Sequence, residues 1–218
     1  MLRDVRRSVA LLALWLLVAA CGSSTASLSD AEKNAATAAP PASGGLPWDV
    51  PADPLAAIAA AGLLPESHET LTHHVHAHLD VFVNGKQVVV PAGIGINTTD
   101  PGVKKFKAPD GSTAWGGIQQ CSSPCISPLH THDDTGLLHT ESASAVPNQL
   151  GQFFAEWGVK LDSECVGGYC RPADSVLVFV DGKRFDGDPR TIELTDRKEI
   201  AIVIGSPPSS VPGGPPGG

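Results

Sequence analysis

The sequence predicts an α+β domain: an antiparallel or mixed sheet built from hairpins, with one amphipathic helix packed on it. Three observations carry this. Apolar strand-like runs lead into Asn84-Gly85 and again into Asp181-Gly182, dipeptides that close two-residue hairpins. Leu150, Phe153, Phe154 and Trp157 fall at i, i+3, i+4 and i+7, the apolar stripe of a helix. Glu199 to Ile204 is a last apolar run of strand length. Once the two ends of the 218-residue chain are set aside, there is room for one core, over residues 46–205.

Met1 to Ala20 has arginines at 3, 6 and 7 and then an apolar run from Val9 to Ala20, too short to span a bilayer comfortably. This is the layout of a signal peptide. Gly22 to Gly45, rich in Ala, Ser, Thr and Pro with no sustained apolar period, is expected to be a flexible tether. Asp53 as N-cap, Pro54 at the first helical position and the alanine-rich stretch to Leu64 predict a short helix. Thr72 to Val83 begins the sheet, with Ala77, Leu79, Val81 and Val83 on one face and His74, His76, His78, Asp80 and Phe82 on the other. Lys86 to Pro91 is its return strand, and Ala92 to Gly117 reads as irregular strands and loops. The aromatic helix starts at Asn148 or Gln149 and ends at Gly158. Ser175 to Val180 is another buried strand. Ser206 to Gly218, mostly Pro, Gly and Ser, is expected to be a disordered tail.

Phe82-Val83-Asn84-Gly85-Lys86 and Phe179-Val180-Asp181-Gly182-Lys183 are near-copies, either a duplicated hairpin or two good hairpins that converged on the same turn chemistry. Hairpin, helix and further strands in this order resemble a β-grasp arrangement.

Removing residues 1–20 leaves 12 basic and 22 acidic side chains, a formal net charge of −10. Such a surface attracts cations and offers no basic patch for phosphates, which excludes nucleic acid as a partner class. Cys121, Cys125, Cys165 and Cys170 are an even set in a chain read as exported, so two disulfides are the default. The local pairs Cys121 with Cys125 and Cys165 with Cys170 are favoured, because each encloses residues that turn. A four-cysteine zinc site fits these spacings poorly, and neither pair has the two-residue spacing of thiol redox motifs.

The densest chemical signal is Pro128 to Glu141, with His130, His132 and His139 inside ten residues. Residues two apart on a strand share a face, and Asp133-Asp134-Thr135-Gly136 reads as a hairpin turn. A loop of two or four residues places His130 opposite His139. His76 and His78 add a second His-X-His pair from another strand. Five histidines at ligand spacing are more than a core readily hides, and imidazole suits Cu, Zn, Ni and Fe. His68 and His73 are expected in solvent. Asp133 and Glu141 are candidates to orient an imidazole, or in the case of Glu141 to ligate directly; the ordinary alternatives are a turn cap and a solvated strand residue. Met1 is the sole methionine and the thiols are expected to be oxidised, so soft ligands are missing and the cofactor is Cu(II) or Zn(II).

Several resemblances follow from these residues. Val18-Ala19-Ala20-Cys21 behind the charged and apolar regions resembles the lipobox of bacterial lipoproteins. That resemblance implies cleavage before Cys21, its lipidation, and a protein held at the extracytoplasmic side of the cell membrane. The His-X-His strand is similar to that of the cupins, but the glutamate due four or five residues on is replaced by Gly136 and Leu137. The α-carbonic anhydrases share only the geometry of His-X-His facing a third histidine across a hairpin. His-X-His before an Asn-Gly hairpin, then His-Thr-His-Asp and a later His-X-Glu, resembles exported bacterial His-rich proteins to which no reaction is attached; this spans Thr72 to Ile204.

No Gly-X-Ser-X-Gly elbow, free cysteine beside a histidine, or glycine-rich phosphate loop is present. The sequence therefore leads to a membrane-anchored, extracytoplasmic lipoprotein binding Cu or Zn through histidines. Two other classes stay open: a metal-dependent enzyme with three histidines and an open position, and a surface interaction module whose histidines sense pH.

Overall fold

The computed structural model describes residues 46–143, 145 and 147–214. The signal-peptide, lipid-anchor and tether expectations for residues 1–45, Cys21 included, lie outside the described residues, as do the last four residues of the chain. Among the described residues no helix is long and apolar enough to cross a membrane.

The domain is α+β, mostly sheet with two α-helices among the described residues. Helix α1 (Pro54–Ala60) starts where expected, Asp53 accepting a hydrogen bond from the Ala56 N–H at 3.0 Å. Strand β1 (His73–Val83) runs into β2 (Lys86–Val88) through Asn84 and Gly85, both at positive φ as a type I′ turn requires. Strands β3 (Lys104–Lys107) and β4 (Thr113–Gly116) make a small hairpin of their own. Then come β5 (Leu129–His130), β6 (Leu137–Ser142), helix α2 (Leu150–Trp157), and a hairpin of β7 (Cys165–Val166) and β8 (Tyr169–Cys170). Strands β9 (Val176–Val180) and β10 (Lys183–Phe185) turn through Asp181 and Gly182, again both at positive φ, and β11 (Lys198–Ile204) closes the sheet.

The main sheet has seven strands in the order β10-β9-β11-β1-β6-β5, with β2 also paired to β1. It is mixed: β1 and β11 lie parallel at its centre, Leu79 opposite Ile200 and Val81 opposite Ile202, and the other pairs are antiparallel. A parallel pair needs a long crossover, supplied here by everything between β1 and β11.

One face of the sheet is the core. Leu79, Val81, Leu138, Ile200 and Ile202 pack with Leu150, Phe153, Phe154 and Trp157, the stripe predicted for α2. Gly158 ends that helix in the left-handed conformation (φ 70°). Trp48 meets Trp157 edge-on, ring centroids 5.6 Å apart, and accepts the indole N–H on its backbone oxygen at 3.2 Å. The opposite face carries the histidines at one end and a small apolar patch of Phe82, Ala201 and Val203 at the other. Residues 206–214 form no helix or strand, and Val211 packs on that patch.

Both disulfides are the local ones, Cys121 to Cys125 and Cys165 to Cys170, with Cα atoms 6.1 and 4.2 Å apart. The first lies in a second cluster with Ile96, Val103, Ile118 and Ile126, which forms the body of the segment between β2 and β5.

Candidate metal centre

The centre grows from the sheet register. His76 on β1 is paired with His139 on β6, and His139 with His130 on β5, so three adjacent strands set three imidazoles in a row on one face. One step along, His74 pairs with Glu141. His132 joins from outside the ladder. The expected tight turn over 133–136 does not form. After His130 the chain leaves β6, because Thr131 exchanges hydrogen bonds with the 91–94 loop and the His132 carbonyl accepts the Trp115 N–H at 2.8 Å. Pairing of His130 with His139 survives, and a six-residue loop follows. Gly136 (φ 86°) closes that loop against β1, its carbonyl accepting the Leu79 N–H at 2.9 Å; a Cβ there would stand 2.5 Å from the Leu79 oxygen.

Two backbone carbonyls orient the inner imidazoles. His130 Nδ1 lies 2.9 Å from the Ser127 oxygen and His132 Nδ1 2.7 Å from the Trp115 oxygen. A carbonyl only accepts, so both Nδ1 atoms carry the proton and both Nε2 atoms present a lone pair. Those two Nε2 atoms are 3.2 Å apart. Two lone pairs at that distance repel unless a cation stands between them. For metal–nitrogen bonds of ~2.0–2.1 Å, tetrahedral ligand atoms are separated by ~3.3 Å, close to the spacing found.

His139 and Glu141 complete this group: one donor atom from each of His130, His132, His139 and Glu141 lies within 4.8 Å of the others. Glu141 Oε1 stands 3.4 Å from His139 Nδ1 and 4.0 Å from His130 Nε2, and its other oxygen is buried without a hydrogen-bond partner. A buried carboxylate oxygen with nothing to accept is costly unless a cation or proton meets it.

The electrostatics suit a cation. Burial, with His132 and His139 nearby, holds His130 well below the ordinary histidine range; burial does the same, less strongly, for His132 and His76. These rings are therefore neutral, the form that ligates. Burial pushes Glu141 upward, but His139, His74 and His132 outweigh it and bring the carboxyl below its usual value. Glu69, from the loop before β1, brings Oε1 to 3.7 Å from His132 Nε2, and its own pKa is raised by burial and by the charge of Glu141.

His78 is on the same face of β1 but is not brought into this cluster. Its Nε2 lies 2.9 Å from the Thr135 oxygen, and its Nδ1 lies 3.0 and 3.2 Å from the two Glu199 oxygens, with Asp80 at 3.9 Å. Both ring nitrogens are engaged, which leaves no lone pair for a metal. Burial works against the charged ring, yet the hydrogen bond and charge of Glu199, with Thr135 and Asp80, raise His78 above its ordinary value. Burial also raises Glu199. The geometry places a proton between His78 Nδ1 and the carboxylate, and we read the pair as His78 charged.

Asp133 accepts from the Thr135 N–H and hydroxyl at 3.1 and 2.6 Å, so it caps its loop and does not hold an imidazole. The orienting groups are instead main-chain carbonyls, which no residue type announces. Ser127 is itself held, its hydroxyl donating to Glu156 of α2, a fully buried carboxyl that burial pushes well above the usual range. His68 and His73 are exposed. His74 was legible as the first member of a His-X-His-X-His run; Glu69, Glu156 and Glu199 had no sequence signal beyond being acidic. A scan against protein-family models and searches of curated proteins and of solved structures match nothing to this chain.

Proposed function

We propose that this is an extracytoplasmic lipoprotein, anchored through Cys21, that binds a divalent transition ion, Cu(II) or Zn(II), at His130, His132, His139 and Glu141. The observation that carries the metal reading is the pair of Nε2 lone pairs 3.2 Å apart, each ring fixed in that tautomer by a backbone carbonyl. The oxidised cysteines support an oxidising compartment. The anchor rests on the residues before and at Cys21.

Four protein donors favour holding and handing on an ion over catalysis, since a catalytic site keeps a coordination position for water. The strand order β2-β1-β11-β9-β10, parallel at its centre with α2 laid across the core face, supports a β-grasp-like reading of the fold.

Metal content of the untagged protein, compared with a His130, His132 and His139 triple alanine variant, tests the proposal. We expect close to one tightly held ion lost in the variant; equal, near-zero metal in both would sink it. For the anchor, Cys21→Ser is expected to move the protein from the membrane to the soluble fraction.

A further inference from the structure

The proposed ion leaves His74 and His76 without a role, though both sit on the same face at the same end of the sheet. His74 Nε2 is 2.8 Å from His76 Nε2, and His76 Nε2 is 3.2 Å from His139 Nδ1. Glu141 Oε1 is 3.1 Å from His74 Nε2 and 3.4 Å from His139 Nδ1. One donor nitrogen from each of His74, His76 and His139 lies within 4.8 Å of the others.

Hydrogen bonding alone accounts for this poorly. Two short contacts meet at His76 Nε2, which has either one proton or one lone pair, and so serves one in-line partner well. A cation facing three lone pairs serves them all, and the spacings are near the ~3.3 Å edge of a tetrahedral nitrogen shell. Glu141 belongs to both groups: Oε1 is within 4.0 Å of His130 Nε2 as well, and Oε2 has no hydrogen-bond partner. A single carboxylate oxygen, Oε1, therefore meets both groups, and a carboxylate shared in this way can bridge a two-metal centre, whose ions sit ~3.5–4 Å apart. Glu69 adds a second negative charge beside His132.

We propose, resting on the single-ion reading above, that the protein holds a second divalent transition ion at His74 and His76, joined to the first through Glu141; His139, whose neutral ring has one lone pair, ligates one of the two ions and not both. His130 is fully buried and His74 is exposed, so the second ion faces solvent and exchanges faster than the first. The outer site is then the port through which the inner one loads and unloads.

The test is titration of the untagged full chain, stripped by chelator, with Cu(II) alone, following retained metal and the electron paramagnetic resonance signal. We expect saturation at two equivalents per chain, the second bound at least tenfold more weakly. The signal should grow over the first equivalent and fall over the second as the two ions couple. H74A/H76A should saturate at one equivalent with no fall in signal, and its circular dichroism should match that of the parent. Saturation of the parent chain at one equivalent overturns this inference and leaves the single-ion reading standing; no binding overturns both. Two equivalents in a folded H74A/H76A variant overturn the placement of the second ion.

Discussion

Two histidine groups share one face of β1 and differ in what meets their nitrogens. At His130 and His132 one nitrogen of each ring is held by a carbonyl and the other faces another lone pair. At His78, a single strand repeat from His76, a carbonyl and a carboxylate engage both nitrogens. Burial does not separate the groups, since His78 and His130 are both buried. The count of engaged ring nitrogens does: the first group keeps lone pairs that a cation could take, and at His78 both nitrogens are already engaged.

The largest effect is expected from removing the inner pair. His130→Ala with His132→Ala should weaken the first metal equivalent by ~10⁴-fold, about 5.5 kcal/mol, by competition with a chromophoric chelator. His78→Gln should leave that affinity within about threefold. Equal losses would erase the distinction.

The ion pair makes the opposite prediction. Glu199→Ala leaves a buried histidine without its partner and should cost about 3–5 kcal/mol in urea unfolding, with metal stoichiometry unchanged in the folded protein. Because the folded pKa of His78 is raised, its stabilising contribution is fully present below the unfolded value of about 6.5 and is lost as pH rises through the folded value. The stability gap between the parent chain and His78→Gln should therefore be widest in mild acid and narrow toward alkaline pH. A gap that widened with pH would contradict the charged assignment.

Glu156 lies beneath the site, joined to it through Ser127. Its folded pKa is raised by burial, so above about pH 4.5 the unfolded chain gives up a proton that the folded chain keeps, and stability falls as pH rises, by up to about 1.4 kcal/mol per unit. Glu156→Gln should flatten that slope and gain on the parent as pH increases. It keeps an acceptor for Ser127, so the affinity for metal should change by no more than about threefold.

The smallest effect belongs to Asp133. Asp133→Ala removes a loop cap and should cost about 0.5–1 kcal/mol without changing metal binding. A loss of affinity there would restore it as an orienting residue.

Much of this was legible from local pattern. Alternation placed the β1 histidines on one face, the turn dipeptides fixed two hairpins, the i, i+3, i+4, i+7 stripe marked α2, and short spacing paired the cysteines. These are properties of neighbours in sequence, where pleat, turn and helix period act directly. The parallel pairing of β1 with β11 was not, because it joins residues about 120 apart and depends on what the intervening chain packs against.

Local pattern thus settles which residue types face together: histidines on two strands, an acid beside them, a core stripe opposite. Which of those histidines keep a lone pair is set by long-range packing. That choice rests on carbonyls of Ser127, Trp115 and Thr135 and on Glu199 of a distant strand. A backbone carbonyl is present at every residue, so its position near a ring is set by packing and register and leaves no mark in the sequence.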